Sequence, residues 1–471
     1  MQDLTTGSVS RHLLKTAGFM LVMMVFQTLY FLVDLYWVGR LGTAAVAGVA
    51  LAGNISFVTL ALGQMLGVGT TTAVSHAVGR RDQPAARHLF HQALLLAAAA
   101  GAAFLVLGLA LRVPYAAHAA ADAPTAAIAA EYLLWFVPAM ALQFPLGAMS
   151  AALRATGQFR QTMVVSTSSV VVNMLLAPVL IFGWGTGRPM GVAGAAAATL
   201  VAVVAALAAM ARYFVPRSAY LHFTADDWRP APAAWRRMLA VGLPAGFEFA
   251  MMALYQFVVY AVARPFGAPA QAGFGIGLRV VQAGFMPVVA LGFAVAPVAG
   301  QNVGAGLADR VRATFRSGAA MATALMALLT LLAHVAPGAL VSGFTRDPAV
   351  VAVGAEYLRV ISWNFVASGL IFVASSLFQA LGNTVPPLAA SALRMAFVIV
   401  PTLLLARLPG FQLRWVWYLA AGTVYVQLAL ALLLLRREFA RLGARAARRA
   451  AEAGAEPAPT PVGAPALEGA A

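Results

Sequence analysis

A long apolar stretch, LLKTAGFMLVMMVFQTLYFLVDLYWV at Leu13–Val38, stands near the start of the sequence. Its only charged residues are Lys15 and Asp34. About 20 predominantly apolar residues are enough for a helix to cross the hydrocarbon core of a bilayer. The stretch is too long for the core of a signal peptide and lacks a small-residue cleavage site. It therefore predicts a first membrane helix rather than a removed leader.

The composition of the whole chain extends this interpretation. Of its 471 residues, 62% are hydrophobic and 10% are charged, whereas soluble domains average about 45–50% apolar and about 25% charged residues. A soluble fold of this size has too little interior to bury so much apolar surface. The apolar stretches are continuous rather than alternating over about ten residues, which favours helices over the strands of a membrane β-barrel.

Hydropathy predicts an all-α polytopic membrane protein with twelve transmembrane helices. We place them at 13–38, 47–75, 89–111, 126–150, 162–184, 191–214, 236–263, 270–300, 313–334, 350–378, 387–406 and 414–435.

The basic residues give the predicted orientation. Most of the 31 Lys and Arg residues lie at one set of helix ends and in the tail. Since cytoplasmic loops carry an excess of Lys and Arg, we expect a cell (inner) membrane protein with both termini in the cytoplasm.

The net charge of the chain is +16, but its basic residues do not cluster into a groove or an aromatic platform that could bind nucleic acid. We therefore expect no nucleic acid as a partner. Zero cysteine excludes disulfides, thiolate metal sites and cysteine nucleophiles.

The two halves of the chain are copies of one another. Five pairs of residues recur at a constant spacing of 225 positions, which spans six helices. An even number of spans predicts parallel lobes related by an axis along the membrane normal, an architecture suited to alternating access. The pairs are Gly42 with Gly267, Gly79 with Gly304, Asp122 with Asp347, Glu131 with Glu356 and Gly157 with Gly382.

These patterns divide the chain into five predicted parts. A cytoplasmic N-terminus (1–12) precedes an N-lobe (13–214), and a cytoplasmic linker (215–235) leads to a C-lobe (236–437). The tail (438–471), rich in Ala, Pro and Glu after Arg449, is predicted to be disordered.

Two acids lie well inside predicted spans, Asp34 in the first and Glu248 in the seventh. An ionisable group in hydrocarbon is costly unless it faces water or a partner, so a functional role is the first hypothesis. A structural ion pair is the alternative. Asn173 and Thr199 would complete an oxygen-rich group with Asp34 that could hold a proton or a small hard cation; for Asn173, a packing hydrogen bond between helices is equally compatible.

Further polar and aromatic residues within the spans are candidates for cavity lining, although any one of them could be an ordinary helix contact. They are Gln27, Tyr30, Gln64, Tyr255, Gln256, Gln282, Trp363 and Asn364. No Walker loop and no nucleophile–base motif is present, so we expect neither ATP-driven transport nor an enzyme.

Three blocks of the sequence resemble the multidrug and toxic compound extrusion (MATE) family of secondary transporters. VDLYWVGRLGTAAVAGVALAGNI (33–55) is similar to its first-helix signature, and GQNVGAGLADRVRA (300–313) to its motif after the eighth helix. LRATGQFRQTMVVSTSSVVVNMLLAPVLIFG (153–183), followed by GVAGAAAATLVA (191–202), is similar to its fourth-to-sixth-helix block. The resemblance covers roughly residues 10–437.

The resemblance implies an antiporter that exports amphiphilic, often cationic, compounds in exchange for H⁺ or Na⁺, without another cofactor, and we expect a monomer. Asp34, Asn173 and Thr199 match the family's N-lobe cation site, and Glu248 lies where some members place a coupling acid. No metal site is certain, although Na⁺ could bind at the first three residues.

The sequence departs from the family pattern at two positions. Ala177 replaces an Asp often found four residues after the Asn, which removes a charge and up to two ligand oxygens and favours H⁺ over Na⁺. Phe19 replaces a common proline in the first helix, whereas the repeat keeps Pro244. A mechanism that bends the first helix at proline is therefore in doubt.

Two other functions remain open on the sequence. A flippase for lipid-linked saccharides, built on a related two-lobe fold, would need a wide cationic cavity for pyrophosphate, but only Arg279, Arg394 and Arg359 are embedded basic residues. A channel or receptor would not require paired acids in a duplicated fold.

Overall fold

The chain folds into a helical bundle that follows the apolar stretches of the sequence. The computed structural model describes residues 2–185, 187–217, 219–224 and 226–454. Within these ranges, twelve helical segments are long and apolar enough to cross a membrane, which confirms the predicted number of spans. The protein is therefore a multi-pass, all-α membrane protein, because a helix satisfies its own backbone polar groups in lipid.

The first half forms the N-lobe. The second span is divided into two helices at Asn54, since a polar side chain of low helix propensity interrupts the segment. The helices are α1 Val9–Gly39, α2 Thr43–Gly53, α3 Ile55–Gly79, α4 Gln83–Ala119, α5 Ala123–Ala155, α6 Phe159–Phe182 and α7 Gly191–Ala211.

The second half forms the C-lobe. Its tenth span is divided by a short 3₁₀ turn at Ser362–Asn364. The helices are α8 Pro232–Ala263, α9 Ala268–Gly304, α10 Ala308–Val335, α11 Pro337–Ser342, α12 Pro348–Ile361, α13 Phe365–Leu381, α14 Val385–Leu405 and α15 Arg414–Gly454.

The linker between the lobes docks on α4. Arg87 Nε donates to Asp227 Oδ2 at 2.8 Å, and Gln92 Nε2 donates to the carbonyl oxygens of Asp227 and Arg229. Partial burial raises the pKa of the Asp227 carboxyl, but the hydrogen bonds from Thr224 and Arg87 outweigh it and hold that pKa below its usual range. The linker is thus an ordered element, with a 3₁₀ turn at Asp226–Trp228.

The predicted tail is wrong over its first part. Helix α15 continues to Gly454, so residues 438–454 are helical rather than disordered. This stretch is rich in Ala and Arg, which are strong helix formers, and it extends a helix that is already nucleated by the last span. The remaining residues, 455–471, lie outside the described ranges.

The repeat is visible in local structure. Asp122 and Asp347 both cap a helix, accepting hydrogen bonds from the backbone of Thr125 at 2.7 Å and of Ala349 at 2.9 Å. Gly157 and Gly382 both follow a helix in the left-handed region, with φ of +78° and +76°, where glycine costs least. The duplicated sequence therefore repeats its helix-end geometry as well as its hydropathy.

The lobes approach each other closely where α3 crosses α9, at the end of the bundle where both helices finish. We call this the arginine-rich end, since Arg80, Arg160 and Arg310 lie there. A Cβ added to Gly79 would overlap the carbonyl of Gln301, and one added to Gly304 would overlap the carbonyl of His76. Only residues without a side chain allow the two backbones to approach this closely.

Two hydrogen bonds related by the repeat join the lobes beside this crossing. The His76 imidazole Nε2 contacts the Ala380 carbonyl at 2.6 Å, and Gln301 Nε2 donates to the Ala155 carbonyl at 2.7 Å. Position 76 is equivalent to 301, and position 155 is equivalent to 380, at the spacing of 225. Each lobe thus caps the end of a helix in the other lobe.

Helix α1 passes from one lobe to the other. Near its start, Leu13 packs in the C-lobe core and Ser10 donates to Ser317 at 3.1 Å. Near its end, Val38 packs in the N-lobe core. At the middle of α1, the Thr28 hydroxyl contacts the Met286 sulfur of α9 at 3.8 Å. Contact between α1 and the C-lobe therefore extends from the arginine-rich end to the middle of the helix.

We predict that Gly79→Ala lowers the apparent melting temperature of the purified protein, because overpacking of a close contact costs about 1–3 kcal/mol. The matched control is Gly63→Ala on the same helix, where an added Cβ meets no neighbouring atom within 4 Å. Thermal unfolding followed by tryptophan fluorescence in detergent measures both. Equal melting of the two variants would show that the crossing tolerates a side chain.

Candidate functional site: two polar clusters

The first cluster lies in the N-lobe and is centred on the hydroxyl of Thr199. Asn173 Nδ2 of α6 donates to Thr199 Oγ1 at 3.0 Å, and the Tyr30 hydroxyl of α1 lies 3.2 Å from the same atom. Asn173 and Thr199 are both buried. The structure thus brings together three of the polar residues that the sequence singled out, from three different helices.

Asp34 lies one helical turn beyond Tyr30 on α1. Its Oδ1 is buried and accepts no hydrogen bond from any described residue. A buried carboxylate oxygen without a donor is costly unless a proton or a cation neutralises it. Hard cations prefer oxygen ligands, and this part of the N-lobe offers the side-chain oxygens of Tyr30, Asp34, Asn173 and Thr199.

Ala177 follows Asn173 by one turn on α6 and is buried beside Ile181. It offers no oxygen where the family often has a carboxylate. Within the described residues, no group of three or more His, Asp or Glu side chains is positioned to hold a metal ion. A cation at this cluster would therefore bind one carboxylate together with neutral oxygens.

The second cluster lies in the C-lobe around Glu248 of α8. Ser375 of α13 donates to Glu248 Oε2 at 3.1 Å, and Ser391 of α14 donates to Oε1 at 2.9 Å. Gln427 of α15 donates to the Ser391 hydroxyl at 2.9 Å. Four helices of the lobe thus converge on one carboxylate, and both of its oxygens are satisfied.

This network ends at a positive charge. Arg394 Nη1 donates to Gln427 Oε1 at 3.3 Å, while Arg394 Nε is buried without a described partner. Tyr255 of α8 packs against the hydrophobic core of the C-lobe. Glu248 and Arg394 therefore stand at opposite ends of a relay made by Ser391 and Gln427.

The sequence singled out neither serine nor Gln427. A usable signal was the spacing of Ser391 and Arg394, three residues apart on α14 and so on one face of the helix.

The two acids do not occupy equivalent positions of the repeat. The position equivalent to Asp34 is Val259, and the position equivalent to Glu248 is Met23. Asp34 is eleven residues further along α1 than Met23, a separation of roughly 16 Å along a helix axis. The acids therefore lie at different depths in the bundle.

The other residues predicted to line a cavity make few hydrogen bonds that bear on this role. Gln27, Gln64, Gln256 and Gln282 form no hydrogen bond with any residue of the described ranges, and their role as lining stays a prediction. Asn364 Nδ2 donates to the Ala420 carbonyl at 3.4 Å.

Trp363 lines a surface groove of about 510 Å³ with His334 and Tyr418, and its carbonyl accepts a hydrogen bond from Tyr425 at 2.7 Å. The structure thus places Asn364 and Trp363 where α15 packs on the 3₁₀ turn of the C-lobe.

Comparison with known proteins decides the family. The family model MatE matches residues 20–179 and 244–404, two ranges displaced by 224 residues at their starts and 225 at their ends. The chain belongs to the MATE family. The duplication seen in the sequence is thus matched by two copies of the family model, one in each lobe.

Relatives and solved structures agree with this membership. The chain is 24% identical to the multidrug export protein MepA of Staphylococcus haemolyticus, over 77% of this chain and 80% of that protein. It is 23% identical to the probable multidrug resistance protein NorM of Thermotoga maritima, over 77% and 78%. A crystal structure of a MATE protein in the bent conformation has a TM-score of 0.88 at 23% identity, covering 94% of this chain and 98% of that one. The MATE fold and the resemblance drawn from the sequence are both confirmed, and the family favours drug efflux over the saccharide flippase.

We predict that Glu248→Gln reduces coupling or substrate affinity but not folding. The amide keeps the shape of the carboxylate, and serine hydroxyls can donate to its oxygen or accept from its nitrogen. Loss of the charge should reduce transport roughly tenfold, the effect of about 1.4 kcal/mol. Transport in proteoliposomes and thermal melting are measured together, with the exposed Glu356→Gln as the matched control. Early melting of Glu248→Gln alone would identify Glu248 as a structural residue.

Proposed function

We propose that the protein is a secondary antiporter that exports amphiphilic, cationic compounds in exchange for H⁺ or Na⁺. The observation that carries the proposal is the Asp34 carboxylate, whose Oδ1 is buried and has no hydrogen-bond donor among the described residues. A group of this kind gains most from a bound proton or cation. Family membership supports the same reading.

Sidedness follows from the distribution of basic residues. We assign the arginine-rich end to the cytoplasm of a cell (inner) membrane, with both termini on that side. The lobes are joined at this end by the α3–α9 crossing and by the His76 and Gln301 hydrogen bonds. The structure then corresponds to a state closed toward the cytoplasm, in which Asp34 would exchange ions with the outside. We expect the monomer to be the transporting unit.

The mechanism links the charge of Asp34 to the arrangement of the lobes. Tyr30 and Asp34 lie on α1, which contacts both lobes, whereas Asn173 and Thr199 lie on α6 and α7 of the N-lobe. Binding of a proton or Na⁺ removes the electrostatic cost of the buried carboxylate and lets α1 pack differently against the cluster. A change of this kind can shift two lobe arrangements that differ by a few kcal/mol.

Substrate charge follows from the same residues. Asp34 and Glu248 favour a cation, and aromatic rings such as Tyr30 add about 0.5–2 kcal/mol each for a desolvated cation. Arg394 is the observation that favours a second candidate, export of an anionic compound, since its Nε has no described partner. One relative is itself named a FAD transporter, from Shewanella oneidensis, 24% identical over 79% of this chain and 82% of that protein.

We expect proteoliposomes to move a cationic fluorescent dye against its gradient when a pH or a Na⁺ gradient is imposed, and to move an anionic dye less. Imposing the two gradients separately identifies the coupling ion. Liposomes without protein and liposomes with collapsed gradients are the controls. Equal or better transport of the anionic dye would favour the second candidate, and downhill flux alone would favour a channel.

We predict that Asp34→Asn abolishes gradient-driven export while equilibrium substrate binding stays measurable. Asparagine keeps the shape and hydrogen-bonding capacity of the side chain but fixes it in a neutral form, so neither H⁺ nor Na⁺ can change its charge. The exposed Asp309→Asn is the matched control. Uphill transport at the wild-type rate under either gradient would show that Asp34 is not the coupling residue.

A further inference from the structure

The segment of residues 2–8, which precedes α1, lies between the two lobes at the arginine-rich end. On the N-lobe side, the backbone N–H of Gln2 donates to the Thr156 carbonyl at 2.9 Å. Gln2 also lies against Gly157, since a Cβ added to Gly157 would lie 2.8 Å from the Gln2 carbonyl oxygen. Asp3 pairs with Arg81 at 3.8 Å. The first residues of the segment are therefore held by the N-lobe.

The same segment is held by the C-lobe two residues later. The Leu4 backbone donates to Gln301 Oε1 at 2.9 Å, and the Leu4 side chain is fully buried in the C-lobe core. Asn302 Nδ2 donates to the Leu4 carbonyl at 3.3 Å. A buried apolar anchor with both backbone groups paired is a specific docking arrangement rather than a loose surface contact.

Arg310 of α10 binds the rest of the segment. Its guanidinium donates to the carbonyl oxygens of Leu4, Thr6 and Gly7 at 3.1–3.4 Å, and its Nε donates to Asn302 Oδ1 at 3.0 Å. One side chain thus donates hydrogen bonds to three backbone carbonyls that lie outside any helix. The geometry of its donors matches this fork of acceptors.

Gln301 connects the segment to the junction of the lobes. Its oxygen accepts from Leu4, while its nitrogen donates to the Ala155 carbonyl of the N-lobe. Among the described residues, the side chain of the repeat-equivalent His76 has a hydrogen bond with Ala380 only. The segment is therefore built into one of the two equivalent lobe contacts.

The linker offers a comparison within the same molecule. It also precedes a helix, α8, that contacts both lobes. The linker's described hydrogen bonds to helices are all with α4 of the N-lobe, through Gln83, Arg87, His91 and Gln92. The linker can therefore move together with the N-lobe and keep these hydrogen bonds. Residues 2–8 cannot keep both sets of contacts when the lobes separate at the arginine-rich end.

We propose that residues 2–7 are a latch, bound in a site formed by both lobes, that stabilises the state closed at the arginine-rich end and must release from one lobe before that end opens. The site binds the chain's own segment through the Leu4 anchor, Gln301, Asn302 and Arg310. The proposal concerns the equilibrium between states and holds for any substrate or coupling ion.

The absence of cysteine from the sequence allows a clean test by spin labelling. Cysteines replace Arg160 in the N-lobe and Arg437 in the C-lobe, exposed residues at the arginine-rich end that make no described contact with the segment. Distances between the labels are measured by pulsed electron paramagnetic resonance in nanodiscs. Two variants are compared with wild type, Arg310→Ala and deletion of residues 2–7, which leaves the Ser8 cap of α1 in place.

We expect both variants to move part of the population to longer distances. Arg310→Ala removes three hydrogen bonds from a charged group to the segment, and the loss of even one such bond corresponds to roughly a tenfold change in the ratio of open to closed molecules. The matched control is Arg316→Ala, an exposed arginine two turns further along α10 without a described partner, and it should leave the distribution unchanged.

Distances in both variants that equal those of wild type and Arg316→Ala would overturn the proposal, as would a shift to shorter distances. If the deletion variant does not fold, Arg310→Ala decides alone. The readout requires no transport, so a failure of the latch is distinguishable from a failure of the proposed antiport.

Discussion

The arrangement of the two lobes depends on the close approach of α3 and α9 at Gly79 and Gly304. Without side chains at these positions, the backbones come close enough for His76 and Gln301 to reach the helix ends of the opposite lobe. Between lobes surrounded by lipid, packing and hydrogen bonds carry the association, since lipid is as apolar as the helix surface. These contacts stabilise one arrangement of the lobes. Because they lie close together, they can all break when the lobes separate at this end.

Duplication accounts for the scaffold but not for the chemistry within it. The helix caps at Asp122 and Asp347 and the turns at Gly157 and Gly382 repeat faithfully. The acids do not, since Asp34 corresponds to Val259 and Glu248 to Met23. Asp34 has an oxygen without a hydrogen-bond partner in the described part of the chain, whereas both oxygens of Glu248 are hydrogen-bonded and its network reaches Arg394. Two lobes of one design therefore present different electrostatics, which gives a transporter two sites that need not bind the same species.

Hydropathy predicted the spans because each must cross the hydrocarbon of the bilayer as a continuous apolar helix. That requirement leaves a clear signal in the composition of the sequence. The proximity of Asn173 and Thr199 was also predicted, since both are polar residues in apolar helices. The Glu248 network was not, because serine hydroxyls are tolerated in any membrane helix and only the fold shows that Ser375 and Ser391 face one carboxylate. The order of the linker and the helix at 438–454 were missed for a related reason: both depend on neighbouring elements as much as on local composition.

The path of α1 has a consequence for biogenesis. Its first turns pack in the C-lobe core through Leu13, whereas its last turns pack in the N-lobe through Val38. During synthesis the ribosome delivers α1 first and α9 and α10 much later, so the start of α1 waits in the membrane for most of translation before its partners exist. The N-lobe cannot mature as an independent domain in the usual order of vectorial folding. The packing of α1 is therefore complete only after α9 and α10 of the C-lobe have entered the membrane.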